Sequence, residues 1–211
     1  MSEREQVINY LSQFISYKEL LDAVRKVDRS KFLPKQYRHL AYSLKYVDKP
    51  IPITKNNNTT ALSLGVTMLN LLQLKRGDKV LEIGTGCGYY TALIAEIVGG
   101  ENVYSIEYDE EAYLLAKRNL EGYSVNLILG DGSVGYEKAK PYDKIVVWAA
   151  SPTFPYALYS QLKDKGIMVV PIVDGENRQG LYKIVKGAQP FVVRIADVVF
   201  TKLRGLCGYW Y

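Results

Sequence analysis

The stretch that most constrains the fold is KVLEIGTGCG, which spans Lys79–Gly88. Apolar and β-branched residues lead up to Glu82, and glycines follow at Gly84, Gly86 and Gly88. The next residues, YYTALIAEIV, carry apolar side chains at helical rather than alternating spacing. This order predicts a strand, a glycine turn and a helix, a unit that brings a bound ligand against backbone N–H groups.

The spacing of the glycines argues against a dinucleotide ligand. The dinucleotide fingerprint is G-x-G-x-x-G, whereas the glycines here fall as G-x-G-x-G. Glu82 precedes the first glycine and would repel a pyrophosphate, but it suits a cationic ligand such as S-adenosylmethionine, which carries an ammonium and a sulfonium group. The alternative is a plain tight turn in an α/β protein that binds another small ligand.

A second carboxylate strengthens the prediction of a nucleoside-bearing cofactor. The next predicted strand, NVYSIE, ends at Glu107. An acid at that point, ~20 residues beyond the glycine turn, can accept hydrogen bonds from both ribose hydroxyls. The alternative is a solvated acid at a strand end, and the spacing favours the ribose ligand.

The order of predicted elements indicates the fold class. Strands alternate with helices over residues 79–172, which predicts an α/β fold with a mostly parallel sheet covered by helices on both faces. The last two apolar runs, 180–186 and 191–200, have no helix between them. At least one of these strands is therefore expected to run antiparallel at the sheet edge. Before the sheet, apolar spacing predicts two helices at residues 3–15 and 16–27.

Local signals predict where several helices begin. Ser16 followed by Glu19 forms a capping box that is expected to open the second helix. Helical spacing returns from Thr60 to Leu72, just ahead of the glycine strand. Asp109 can cap a helix predicted over Glu110–Glu121.

The segment between the N-terminal helices and the cofactor region is predicted to be irregular. Residues 34–60 lack apolar periodicity and carry Pro50, Pro52 and three consecutive asparagines. Irregular segments of this length inside a compact domain are usually functional or disordered. We expect residues 1–60 to supply N-terminal helices and a substrate-side loop, packed as one unit on a cofactor-binding domain of residues 61–211.

Composition excludes several classes of protein. Among 211 residues, no apolar run approaches the ~20 residues of a membrane span, and the N-terminus MSEREQ lacks the apolar core of a secretory signal. Cys87 and Cys207 are far apart and suggest neither a disulfide framework nor a metal-ligand pair, so a cytoplasmic location is expected. His39 is the only histidine, which argues against a histidine metal site or a Ser-His-Asp relay.

Further motifs match one known family. The stretch Lys79–Tyr89 corresponds to that family's Val-Leu-Glu-Ile-Gly-Thr-Gly-Ser-Gly-Tyr, with Cys87 in place of serine. The other matching stretches are DRSKFLP at 28–34, YVDKPIPI at 46–53, Gly130-Asp131-Gly132, Pro141-Tyr142-Asp143, Gln161-Leu162-Lys163 and Val169-Val170-Pro171. From about Val27 to Pro171, the chain therefore resembles the protein-L-isoaspartate O-methyltransferase family.

The resemblance implies a Rossmann-like sheet of seven strands and a bound S-adenosylmethionine, released as S-adenosylhomocysteine, with no metal. It also implies methylation of the abnormal isoaspartyl carboxylate in damaged proteins, followed by closure of the ester to a succinimide. The predicted cofactor-binding residues are Glu82, Gly84, Thr85, Gly86, Cys87, Gly88, Glu107, Asp131 and Gly132. The predicted substrate-side residues are Ile53, Asn58, Thr59, Ala61 and Trp148.

One segment departs from the family's pattern. The family's substrate signature is Gln-Thr-x-Ser-Ala-Pro-His, and the equivalent here, residues 57–63, is NNTTALS. Thr60 keeps a hydroxyl where the family has serine, so it is the predicted catalytic residue and would position the substrate carboxylate. Because that carboxylate is ionised at neutral pH, no general base is required, and catalysis depends on positioning. The alternative role for Thr60 is an N-cap of the following helix, or both.

Other site residues also have two interpretations. The resemblance implies that Asp131 faces the adenine amine, while a turn residue between two glycines is the alternative. Trp148 is expected either to line the pocket at the carboxyl end of its strand or to belong to the core. Cys87 is interpreted as a small residue tolerated in the turn rather than a reactive thiol.

The sequence leaves two competing functions open. A methyltransferase acting on RNA is the nearest rival, kept open by a net charge of +5, although no basic stretch interleaved with aromatics supports nucleic-acid binding. The second competing function is that of a homologue that binds the cofactor without catalysing methyl transfer. The expected partners are isoaspartyl peptides and proteins, with no membrane.

The terminal aromatics Tyr209, Trp210 and Tyr211 are predicted to be buried, against the N-terminal helices or in a homo-oligomer contact.

Overall fold

The predicted alternation of strands and helices is present in the computed structural model, which describes residues 1–176 and 178–210. The helices are α1 (Glu3–Ser12), α2 (Lys18–Lys26), α3 (Leu62–Leu72), α4 (Tyr89–Val98), α5 (Glu110–Asn119) and α6 (Tyr156–Ser160). The strands are β1 (Ile51–Pro52), β2 (Asn58–Thr59), β3 (Val80–Ile83), β4 (Val103–Glu107), β5 (Asn126–Leu129), β6 (Tyr142–Val147), β7 (Leu162–Gly175), β8 (Arg178–Val185) and β9 (Phe191–Val198).

The main sheet has seven strands in the order β5-β4-β3-β6-β7-β8-β9. The five strands from β5 to β7 pair in parallel, and β3 lies between β4 and β6 at the middle of that parallel part. The strand order reverses at β3, and ligands of open α/β sheets bind beside such a point. The predicted mostly parallel sheet is confirmed.

The far edge of the sheet is antiparallel, as the missing helices predicted. β8 pairs antiparallel with both β7 and β9. The connection from Gly175 to Arg178 explains this direction, because it is far shorter than the crossover of a dozen or more residues that a parallel pair needs.

The sheet is buried on both faces. Alternate residues of the central strands, such as Val80 and Val146, belong to one apolar cluster that also contains residues of α1 to α5. The intervening residues, such as Leu81 and Ile145, belong to a second cluster that includes Leu158 of α6. This double burial explains why the central strands are apolar at nearly every position.

The N-terminal region differs from its prediction in two places. α2 begins at Lys18 with Tyr17 as its N-cap, without a side-chain hydrogen bond, so the predicted capping box at Ser16 is wrong. Residues 34–60 are not wholly irregular, because they contain 3₁₀ turns at Lys35–Leu40 and Leu44–Tyr46 and the small hairpin of β1 and β2. Short elements of this kind carry too few residues to show a period.

Two other predictions concern a helix cap and membrane-spanning segments. Asp109 caps α5 as predicted, since its carboxylate accepts a hydrogen bond from the Ala112 N–H at 3.0 Å. Within the part of the chain that the structure describes, no helix is both long enough and apolar enough to cross a membrane.

Candidate active site

A cavity of about 370 Å³ lies at the carboxyl ends of the central strands. One wall is formed by the glycine turn after β3 and by the end of β4. The loop of residues 56–60, here called the substrate loop, forms a second wall, and the residues after β6 together with a C-terminal stretch at 201–204 form the rest. The walls of the cavity therefore come from elements that are distant from one another in the chain.

The glycine turn forms part of the cavity wall. Its backbone adopts conformations that residues with a Cβ rarely adopt. Gly84 has a φ of 94° and Gly86 a φ of 58°, both in the left-handed region. Both glycines and Thr85 between them line the cavity, so a ligand can approach the backbone closely. This is the placement that the sequence predicted for these three residues.

Glu107 ends β4 at the cavity wall, and its side chain is fixed by the backbone. Its Oε2 accepts a hydrogen bond from the Gly86 N–H at 2.8 Å, and its Oε1 accepts one from the Asp109 N–H at 2.9 Å. Each carboxylate oxygen has a second lone pair, so the group can still accept two ligand hydroxyls. Glu107 thus lies on the cavity wall with acceptor capacity left, and its role as a ribose ligand stays a prediction.

Glu82 occupies a different position from the one predicted. Its side chain is 0% exposed and lies beneath the turn rather than on the cavity wall. It accepts hydrogen bonds from Thr91 Oγ1 at 2.5 Å, Ser105 Oγ at 2.6 Å and Trp148 Nε1 at 2.9 Å. Burial raises the pKa of the Glu82 carboxyl to about 7, against the lowering effect of these donors. Glu82 therefore supports the site from below and does not line the cavity.

Asp131 is also not on the wall, whereas its neighbour Gly132 is. Asp131 Oδ1 accepts hydrogen bonds from the Ser133 N–H and hydroxyl at 2.8 and 2.6 Å. Its Oδ2 accepts one from the Leu206 N–H at 2.8 Å. The carboxylate thus caps a 3₁₀ turn and ties down the C-terminal segment, and its predicted contact with an adenine amine stays a prediction.

Four more of the predicted site residues lie behind the wall. Cys87 is buried, and burial raises the pKa of its thiol, which fits a packed small residue rather than a nucleophile. Gly88 is the N-cap of α4, where a Cβ would lie 2.9 Å from Leu120 Cγ. Ile53 packs behind Gly86, and Ala61 is the buried N-cap of α3.

The substrate loop brings Asn58, Thr59 and Thr60 to the cavity, as predicted. Asn56 and Asn57, in the predicted irregular segment, also line it. Among residues 1–176 and 178–210, nothing hydrogen-bonds to the Thr60 hydroxyl. α3 begins at Leu62 with Ala61 as its N-cap, so the predicted cap role of Thr60 is wrong and its hydroxyl stays available to a ligand.

Trp148 satisfies both of its predicted roles, because it is buried and also lines the cavity. Its ring stacks on Tyr90, with centroids 4.7 Å apart and planes inclined by 25°. Tyr90 lines the cavity as well and was missed, since its place in an apolar helix pattern gave no sign of a site.

The C-terminal wall was also missed. Thr201, Lys202, Leu203 and Arg204 line the cavity, and Leu203 is buried in the second core cluster. Of the terminal aromatics that the structure describes, Tyr209 is half-buried with Lys202 Nζ above its ring, and Trp210 is 72% exposed. The predicted burial of Trp210 is therefore wrong for the single chain, and Tyr211 lies outside the described residues.

Together, the parallel sheet with an antiparallel edge, the glycine turn after its central strand and the acid ending the next strand define a Rossmann-like methyltransferase of the S-adenosylmethionine-dependent class. The sequence profile of the protein-L-isoaspartate(D-aspartate) O-methyltransferase family matches residues 2–205. The chain belongs to this family.

Curated relatives agree with the profile over nearly the whole length. The protein-L-isoaspartate O-methyltransferase of Ignicoccus hospitalis is 42% identical over 207 residues, which cover 95% of this chain and 96% of the relative. Protein-L-isoaspartate O-methyltransferase 1 of Archaeoglobus fulgidus is 47% identical over 195 residues, covering 90% and 88% of the two chains.

Solved structures show the same fold. A protein-L-isoaspartate O-methyltransferase superposes with a TM-score of 0.83 at 27% identity, over 97% of this chain and 67% of that one. A Plasmodium falciparum protein, provisionally assigned the same activity, was solved in complex with S-adenosyl-L-homocysteine. It superposes with a TM-score of 0.80 over 97% of this chain and 99% of its own, and at 21% identity this likeness concerns the fold alone.

Proposed function

We propose that this chain transfers the methyl group of S-adenosylmethionine to the carboxylate of L-isoaspartyl residues in damaged proteins, and so initiates repair through a succinimide. Membership of the family supports this activity. The observation that carries it here is the two-sided cavity. Glu107 lies on one wall and the unpartnered hydroxyl of Thr60 on another.

The cofactor side of the cavity fits S-adenosylmethionine. Gly84 and Gly86 give close access to the backbone, and Glu107 offers two acceptors for ribose hydroxyls. Gly132, which also lines the cavity, packs closely against the Ile83 side chain, since a Cβ there would lie 2.6 Å from Ile83 Cγ2. When bound, the cofactor supplies an electrophilic methyl group on its sulfonium.

The substrate side fits an ionised carboxylate. Thr60 can donate one hydrogen bond, which orients a carboxylate oxygen without removing its other lone pairs. Asn57 and Asn58 add neutral amides nearby. A carboxylate is already a nucleophile at neutral pH, so the wall needs donors and no base, which agrees with a site built from threonine and asparagine.

Apolar groups complete the enclosure. Ile83, Ile106, Leu203 and the stacked rings of Tyr90 and Trp148 line the cavity. An apolar lining excludes water, which strengthens electrostatic interactions inside and limits hydrolytic side reactions. The chain's contribution to methyl transfer is therefore to hold the reacting atoms in a dry, fixed arrangement.

The proposal is tested by methyl transfer from labelled S-adenosylmethionine to an isoaspartyl peptide. The same peptide with normal aspartate, a tRNA and buffer alone are the controls. We expect label only on the isoaspartyl peptide. Transfer to the tRNA alone would replace the proposal by an RNA methyltransferase, and cofactor binding without transfer to any acceptor would indicate a binding-only homologue.

A further inference from the structure

We propose that Tyr90 is a positioning residue for methyl transfer, which holds the backbone of the substrate loop so that the Thr60 hydroxyl enters the cavity in one orientation. The inference rests on the proposed role of Thr60. Tyr90 belongs to α4, the helix that follows the glycine turn. It therefore links the substrate loop directly to the cofactor side.

The hydroxyl of Tyr90 makes the connection. It donates to the carbonyl oxygens of Thr60 and Ala61, each at 2.9 Å, so one proton serves two adjacent acceptors. The side chain is only 6% exposed, and burial raises the pKa of the Tyr90 hydroxyl above its ordinary value. The group therefore stays protonated and remains a donor at neutral pH.

A second donor reaches the same carbonyl from inside the fold. Arg29 is 1% exposed, and its Nη2 donates to the Thr60 carbonyl at 3.4 Å while its Nη1 donates to the Ala41 carbonyl at 3.3 Å. The Thr60 carbonyl is thus held by two side chains from different elements. With its backbone fixed, the β-branched Thr60 side chain has few orientations left for its hydroxyl.

The ring of Tyr90 is itself held in place on two sides. One face stacks on Trp148, whose Nε1 is anchored on the buried Glu82. On the α3 side, Gly65 leaves the space that the ring occupies, since a Cβ there would lie 2.1 Å from Tyr90 Cζ. A side chain fixed in this way transmits the rigidity of the sheet to the loop, which is what a precise site requires.

The neighbouring residue provides a matched control. Tyr89 lies on the same helix and is equally buried, but its hydroxyl has no hydrogen-bond partner within the described residues. Removing that hydroxyl takes away no hydrogen bond. Tyr89→Phe should therefore leave turnover and loop mobility at parent values, whereas Tyr90→Phe removes only the contacts to the substrate loop.

The test compares both variants with the parent for kcat on an isoaspartyl peptide, for S-adenosylhomocysteine affinity and for hydrogen exchange at residues 57–61. For Tyr90→Phe we expect kcat to fall about 3- to 10-fold, as for the loss of one hydrogen bond, with faster exchange in the loop. Cofactor affinity should stay within about twofold of the parent, because the ring and its stacking are kept. Parent values of kcat and exchange in Tyr90→Phe would overturn the inference.

The double variant Thr60→Val/Tyr90→Phe separates positioning from general support of the fold. If Tyr90 acts through the Thr60 hydroxyl, adding Tyr90→Phe to Thr60→Val lowers kcat no further. If the kcat of the double variant falls by the product of the two single-variant losses, the inference is overturned, since Tyr90 then acts independently of Thr60. If the parent does not methylate the isoaspartyl peptide, the proposed function fails. The exchange measurement then decides by itself whether Tyr90 holds the loop.

Discussion

The two sides of the cavity are built in different ways. The cofactor wall comes from neighbouring strand ends that are close in sequence, from Gly84 to Glu107. The other walls are assembled from three distant stretches, residues 56–60, 148–149 and 201–204. The cofactor wall thus depends on local backbone chemistry, while the rest of the cavity depends on tertiary packing.

Two glutamates on adjacent strands show the same contrast within the cofactor side. Glu82 and Glu107 both follow apolar strand residues, yet Glu82 is enclosed by three side-chain donors and Glu107 faces the cavity. A substitution at Glu82 should therefore change stability, and one at Glu107 should change cofactor affinity.

The largest expected effect is on the pH dependence of stability. Burial raises the pKa of Glu82 to about 7 from an ordinary 4.5, so the native state binds this proton more tightly than the unfolded chain. The stabilisation from this group is fully present below about pH 4.5 and is lost as the pH rises through about 7. At 1.36 kcal/mol per pKa unit, the loss is on the order of 3 kcal/mol.

Denaturant unfolding of the parent and of Glu82→Gln between about pH 5 and pH 8 measures this loss. Glutamine resembles the protonated acid, so the free energy of unfolding of the variant should increase relative to that of the parent as the pH rises. Glu111→Gln, at an exposed carboxylate on α5, is the matched control and should show no such gain. A difference between parent and Glu82→Gln that stays constant with pH would contradict the buried, proton-binding role.

The next effect is on cofactor affinity. Glu107→Ala removes a charged acceptor from the wall, which is worth about 1.5–3 kcal/mol, or roughly 10- to 150-fold in the dissociation constant of S-adenosylhomocysteine. Titration calorimetry measures it, with Glu111→Ala as the control that should bind like the parent. Unchanged affinity in Glu107→Ala, or tight binding of NAD by the parent, would show that the cofactor side has been misassigned.

The smallest effect concerns Asp131 and the C-terminal segment. Asp131→Asn weakens the acceptor for Ser133 and Leu206, at a cost of about 1 kcal/mol in stability. Hydrogen exchange at the Leu206 amide should become faster, while affinity for S-adenosylhomocysteine changes by a few-fold at most. A loss of affinity as large as that of Glu107→Ala would show instead that Asp131 contacts the cofactor directly.

Most of the fold could be predicted from the sequence because its signals are local. The strand, glycine turn and helix at residues 79–98 are determined by glycines, which adopt left-handed backbone at little steric cost, and by apolar spacing on either side. The antiparallel edge followed from connections too short for a crossover. The cap at Asp109 was predictable for the same reason, since a cap and its helix are adjacent in the chain.

The rest could not be predicted because it depends on contacts between distant residues. Nothing near Glu82 in the sequence shows that Thr91, Ser105 and Trp148 enclose it. Asp131 is likewise occupied by Leu206, 75 residues away. Thr60 was placed correctly at the cavity, but the contacts that hold its backbone come from Arg29 and Tyr90, about 30 residues to either side.

The central claim is that the two sides of the cavity have separate tasks, with the Thr60 hydroxyl acting in methyl transfer and Glu107 in cofactor binding. Single-turnover transfer to an isoaspartyl peptide at saturating S-adenosylmethionine tests it most directly. Thr60→Val should slow the transfer by roughly 10- to 150-fold, because a hydrogen bond to a charged acceptor is lost. Thr60→Ser and Glu107→Ala should remain near the parent rate. A folded Thr60→Val variant that transfers at the parent rate, or an equal loss in Glu107→Ala, would contradict the account.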